Sequence, residues 1–130
     1  MSIAAEDLHA IHALLADYCR HLDAGREDEW LALFADDGRL VVGAKAFEGV
    51  NGLRAFLGGR KGGGLHLNTL PHLTFVDDDA VETEIPFFGL QPGEDGDAWV
   101  RGVGQYRDRL RRGPQGWRFA ERRVVLADGF

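Results

Sequence analysis

Asp23, His66, Tyr18 and a group of late arginines are the residues here whose types could do chemistry. Asp23 closes a strongly amphipathic segment at the end where a helix dipole disfavours a carboxylate, so its presence calls for a reason. A carboxylate beside a buried stripe is ordinarily paired, and the candidate partners are His66 and the arginines near the C-terminus. Paired with an arginine, Asp23 would form an ion pair. Paired with a histidine, it would fix the tautomer of an imidazole that can remove a proton near neutral pH, and would stabilise the imidazolium that forms. A third reading makes Asp23 a side-chain cap for the next helix.

The elements that must position these residues follow in a clear order. Leu8, Ile11, Leu15, Tyr18 and Leu22 recur at helical spacing, and Ala24-Gly25 supplies the stop, which predicts a helix over about residues 5 to 24. Glu27 to Phe34 reads as a short second helix with Trp30, Leu33 and Phe34 facing inward, ended by a turn at residues 35–38. A strand is expected over residues 39–48, and a third helix over Asn51 to Leu57, capped by Asn51. Strands are placed at about 65–76, 80–91, 98–111 and 116–126, separated by Asp- or Gly/Pro-rich turns, so these four should form an antiparallel meander. Helices first and hairpins later predict an α+β fold with a curved sheet wrapping the helices. Pro71, Gly89, Gly102 and Gly104 would supply its bulges and bends.

The 130 residues read as one domain, 1–130, with enough chain to bury a core without disulfides or a structural metal. The formal net charge of -6 argues against a nucleic-acid surface, although seven arginines between residues 107 and 123 concentrate basic charge late in the chain. Cys19 is the single cysteine, which excludes an intrachain disulfide and fits a cytoplasmic setting. Neither a signal peptide nor a membrane span is visible.

The stretches Ile11 to Tyr18, Asp23, Trp30 to Gly38, Phe47-Glu48-Gly49, His66 with Asn68, and Gly116 to Arg123 together resemble the SnoaL-like branch of the nuclear transport factor 2-like superfamily over nearly the whole chain. The resemblance implies a cone-shaped α+β fold, its N-terminal helices packed in a highly curved, mostly antiparallel sheet that encloses a pocket. In site pattern the chain is most similar to the bile-acid dehydratase, scytalone dehydratase and hexachlorocyclohexane dehydrochlorinase group. That group uses an Asp–His dyad, and Asp23 and His66 fall at the matching places. Tyr18 stands where one member carries a tyrosine, and the pocket arginine of the last strand would be Arg122. One departure is Val42, close to the position of the dehydratases' second tyrosine, which disfavours a dehydratase needing two phenols.

The expectation is therefore a cofactor-independent lyase or isomerase, without a metal, acting on a small apolar cyclic molecule. His66 would be the base, Asp23 its orienter, and Tyr18 and Arg122 the groups that hold developing charge. Trp30, Phe34, Phe56, Phe88 and Tyr106 would line the pocket, although aromatics of this kind are also what a core needs. Tyr18 reads equally well as core. Strand alternation puts Arg123, not Arg122, on the apolar side with Trp117 and Phe119, unless one bulge exchanges the two. A non-catalytic binding protein for a hydrophobic small molecule stays open, as does an interaction module. The resemblance also implies a homo-oligomer, dimer or trimer, while the net charge and the lack of a long apolar stretch predict no nucleic-acid or membrane partner.

Residues 58–64 are rich in glycine but lack the ending of a phosphate loop, and read as a flap before His66. Residues 77–79 read as a solvated turn, not a calcium loop. His9, His12, His21 and His72 read as surface or strand histidines.

Overall fold

A computed structural model describes residues 3–60 and 62–127. The amphipathic first segment is a helix, α1 (Ala5–Ala24), which buries Ile11, Leu14, Leu15, Tyr18, Cys19 and Leu22. Gly25 ends it at φ 71°, where its N–H bonds Leu22 O and the Arg26 N–H bonds His21 O, a Schellman closure. α2 (Glu27–Leu31) is shorter than its composition suggests, because the Leu33 carbonyl accepts the Phe119 N–H at 2.9 Å and Phe34 already belongs to a strand. The strand expected over residues 39–48 is a hairpin, β1 (Phe34–Val42) and β2 (Lys45–Glu48), with Gly43 at φ 60° in its turn. α3 (Gly49–Gly58) starts two residues before the expected Asn51 cap, and Glu48 takes the capping position without a side-chain bond.

The remaining strands are β3 (Leu65–Asn68), β4 (His72–Asp77), β5 (Ala80–Pro92), β6 (Ala98–Gly113) and β7 (Gly116–Leu126). The single strand expected over residues 65–76 is therefore two. Both halves pair antiparallel with β5, around a break that contains Pro71. The sheet order is β2-β1-β7-β6-β5-β3, with β4 also on β5; every pairing is antiparallel except β1 with β7. The chain is thus α+β, with N-terminal helices against a curved, mostly antiparallel sheet. One buried cluster runs from Ile11 through Tyr18, Trp30, Phe34 and Leu40 to Ile85, Tyr106 and Phe119. Among the described residues no helix is long and apolar enough to cross a membrane.

Bulges set the curvature and the aim of key side chains. Between Gly89↔Gly102 and Leu90↔Val100 the extra residue on β6 is Arg101. Between Arg109↔Glu121 and Leu110↔Phe119 the extra residue on β7 is Ala120. Gly104 serves a close approach, since a Cβ there would collide with the Val125 carbonyl oxygen, whereas one at Gly102 would meet nothing within 4 Å. Gly104→Ala should therefore cost about 1–3 kcal/mol of unfolding free energy while Gly102→Ala stays near neutral. Urea denaturation of both variants checks this contrast.

The N-terminal end of α1 is clamped to the last hairpin through Asp7, which accepts bonds from Trp117 Nε1 at 3.1 Å and Arg112 Nη1 at 2.7 Å. The Trp117 bond is the chief cause of an Asp7 pKa below the usual carboxylate range, with Arg112 adding to it. A depressed folded pKa contributes stability above the unfolded value, about 3.9, and loses it as pH falls through the folded one. The stability difference between the parent and Asp7→Asn should accordingly be full at neutral pH and shrink below about pH 4. Urea midpoints measured across that range test the sign.

Candidate functional site

Asp23 and His66 meet. The Asp23 Oδ1 lies 2.6 Å from His66 Nδ1, and Oδ2 accepts the His66 backbone N–H at 2.8 Å. One carboxylate thus binds both the main chain and the ring of a single residue. The contact is mostly sheltered, with side-chain exposures of 12% for Asp23 and 23% for His66. The competing reading of Asp23 as a cap for α2 fails, because Arg26 occupies that position and α2 has no side-chain cap. With Nδ1–H donated to Asp23, a neutral imidazole carries its lone pair on Nε2.

His66 is inward-facing because β3 alternates, with Leu65 and Leu67 exposed and His66 and Asn68 turned toward α1. Asn68 reinforces the same docking: its Nδ2 donates to Leu15 O at 3.4 Å and its Oδ1 lies 3.5 Å from Cys19 Sγ. Burial pushes the Cys19 thiol up to about 11, which disfavours the thiolate that a nucleophile needs.

His66 opens on a cavity of about 650 Å³ between the helices and the concave side of the sheet. Tyr18 and Leu22 of α1, Phe56 of α3, Val42, Phe87, Tyr106 and Val124 form its apolar wall, and Gly89 and Gly102 leave it without side chains beside His66. The segment from α3 to β3 adds Gly59, Arg60 and Gly64; Lys61 of that segment lies outside the described residues. Burial raises the pKa of the Tyr18 hydroxyl and, likewise, that of Tyr106, which keeps both phenols protonated.

The other expected pocket residues divide. Phe56 and Tyr106 line the cavity. Trp30 and Phe34 do not, since both are packed into the core behind Tyr18, at ring distances of 5.7 and 6.3 Å from it. Phe88 also lies off the wall, because alternation on β5 sends Phe87 inward in its place, stacked on Tyr106 at 4.0 Å. Val42 is on the wall as expected, yet a second phenol is present all the same, supplied by Tyr106 with its ring 5.6 Å from that of Tyr18.

Arg122 is inward-facing, and the bulge at Ala120 is the reason: it shifts the alternation so that Arg122 joins Trp117 and Phe119. Its guanidinium does not reach the cavity wall. It is fully buried beneath it, 4.2 Å from the Tyr18 ring centre, 3.9 Å from Tyr106 and 4.5 Å from Phe119. Nε and Nη2 grip Asp108 at 2.7 and 2.8 Å, and Asp108 accepts the Thr83 hydroxyl at 2.7 Å, a polar row across three adjacent strands. Burial alone would disfavour the charge, but the Asp108 carboxylate outweighs it and raises the Arg122 pKa above the usual arginine value. Asp108 carried a readable signal, alternating with Tyr106 and Leu110 on the inward face of β6. His9, His12 and His72 are exposed, and Asp77 accepts the Asp79 N–H at 2.8 Å in a surface turn.

Helices seated in a curved sheet, with a carboxylate-held histidine on the wall of a cavity between them, define an α+β pocket protein of the nuclear transport factor 2-like kind. The chain belongs to the SnoaL-like domain family, whose profile matches residues 4–123. Curated protein sequences gave no match. Among solved structures, it is similar to a nuclear transport factor 2-like protein with a cystatin-like fold from Novosphingobium aromaticivorans, with 26% identity and TM-score 0.85 over 96% of this chain and 84% of that one. A candidate scytalone dehydratase from the same organism is 22% identical, with TM-score 0.79 over 92% and 83% of the two chains. A type 2 hexachlorocyclohexane dehydrochlorinase is 19% identical, with TM-score 0.79 over 91% and 83%. The last two likenesses concern the fold.

Arg122→Met leaves Asp108 in the core without its counter-charge and should cost about 3–5 kcal/mol of unfolding free energy, whereas replacing both partners by apolar residues should recover most of the loss. Urea denaturation of the single and double variants distinguishes the two outcomes.

Proposed function

We propose that this protein is a cofactor-independent lyase or isomerase that removes a carbon-bound proton from a small, largely apolar cyclic substrate. The observation that supports this reading is the double grip of Asp23 on His66 beside an apolar cavity. His66 Nε2 takes the proton. The electron pair released from the C–H bond either forms a C=C bond as a leaving group departs, or moves onto a neighbouring carbonyl oxygen to give an enolate. Asp23 holds the Nδ1–H tautomer and stabilises the imidazolium. The Tyr18 hydroxyl donates to the oxygen that gains charge, and that of Tyr106 assists a departing hydroxyl. The apolar wall excludes water.

Arg122 acts here at one remove, by fixing the rings of Tyr18 and Tyr106 that its guanidinium packs against. Dehydrochlorination and dehydration, the reactions in the names of two structural neighbours, are both eliminations of this kind. Incubation of cyclic enones and β-hydroxy ketones in D2O, followed by NMR, should show enzyme-dependent deuterium uptake or elimination. Each of His66→Ala and Asp23→Asn should lower the rate by about 10²–10⁴. Ligands that bind the parent with no exchange and no product would assign the cavity to a binding protein instead.

A further inference from the structure

The charged residues on the cavity wall are of one sign. Arg60 and Arg101 line it together with His66, and among the described residues no Asp or Glu does. That is a departure for a chain of net charge -6. Asp23 is not on that wall: its carboxylate faces His66, and it borders a neighbouring hollow of about 200 Å³ that Arg60 also borders, with no ion pair between the two among the described residues.

Arg101 owes its place to backbone geometry. On β6, Gly104, Tyr106, Asp108 and Leu110 face inward, so regular alternation would turn Arg101 away with Val103 and Gln105. The bulge between Gly89↔Gly102 and Leu90↔Val100 makes Arg101 the unpaired extra residue and lets it border the cavity. Bulges beside sites commonly re-aim a side chain in this way. Arg60 comes from the opposite side, just past α3, with its guanidinium 6.0 Å from the ring of Phe56 on the same wall. Among the described residues neither arginine forms an ion pair; Arg101 Nη1 has the neutral Gln91 Oε1 at 3.5 Å. Arg101 is exposed and Arg60 half-buried, while Tyr18, Phe87 and Tyr106 are buried deeper in the same cavity. The arrangement is amphipathic, with hydrocarbon and phenol within and guanidinium groups toward solvent.

We infer that the substrate carries an anionic head, a carboxylate or a phosphate ester, held by Arg60 and Arg101 at the rim while its apolar ring enters beside Tyr18, Phe87 and His66. Guanidinium groups suit either anion, through charge-assisted hydrogen bonds. The inference rests on this cavity being the substrate site, and it refines the proposed reaction by fixing which end of the molecule enters first. The anion stays near water, where its desolvation costs least, and the reacting ring is delivered to the dyad.

Calorimetric titration of the full chain with 2-naphthoate, 2-naphthyl phosphate and neutral 2-naphthamide tests it. At least one anion should bind about tenfold tighter than the amide, with a preference that weakens as salt rises. Arg60→Gln/Arg101→Gln should abolish that preference while leaving amide affinity within about twofold. The stronger of the two anions identifies the head group. An amide bound as tightly as both anions, a preference that survives in the double variant, or no binding of either anion overturns the inference. Binding is read apart from turnover, so a failed anion preference and a His66→Ala variant that keeps its rate are separate results.

Discussion

The carboxylate of Asp23 binds one residue twice, accepting the His66 backbone N–H with one oxygen and standing 2.6 Å from the ring nitrogen with the other. Main chain and side chain are both restrained, so the strand that carries His66 is docked on α1 through that residue. A carboxylate in the last turn of a helix is disfavoured by the helix dipole. Here that cost is offset by two hydrogen bonds in a sheltered setting, and the Schellman turn at Gly25 holds Asp23 in place. The short β3, the Asn68 contacts with α1 and the cavity beside His66 all adjoin this junction.

A second polar assembly lies buried in the sheet beneath the cavity's phenols. Thr83, Asp108 and Arg122 form a row across β5, β6 and β7, and the Arg122 guanidinium underlies the rings of Tyr18 and Tyr106. A buried ion pair of this kind contributes little net stability relative to apolar packing, but once made it tolerates no loss of either member. Its geometric effect is to set the phenols on the cavity wall. Charge is thereby graded along the cavity, with a paired cation sealed beneath the phenols, His66 on the wall and two arginines that lack ion-pair partners among the described residues.

Much of this was legible in the sequence because it follows from periodicity. The stripe of α1, the stop at Gly25 and the turns between the late strands are local signals, and they put Asp23 at the end of a helix and His66 on a strand, as the structure has them. What was not legible came from places where tertiary backbone demands override alternation. Nothing local marks the Ala120 bulge, so parity favoured Arg123 although Arg122 is the buried residue. The Arg101 bulge hid a cavity residue for the same reason. Trp30 and Phe34 have the composition of a pocket wall but fill the core behind Tyr18, a distinction that depends on which layer lies between. Phe87 and Phe88 are adjacent, and only the register of β5 decides which one faces inward.

We propose that Asp23 holds His66 as the Nδ1–H tautomer and leaves Nε2 unprotonated. Long-range nitrogen–proton correlation NMR on protein labelled with ¹⁵N-histidine reads the two nitrogens directly. For neutral His66 we predict a protonated Nδ1 and an unprotonated Nε2, with that preference lost in Asp23→Asn. A neutral ring carrying its proton on Nε2 would contradict the account.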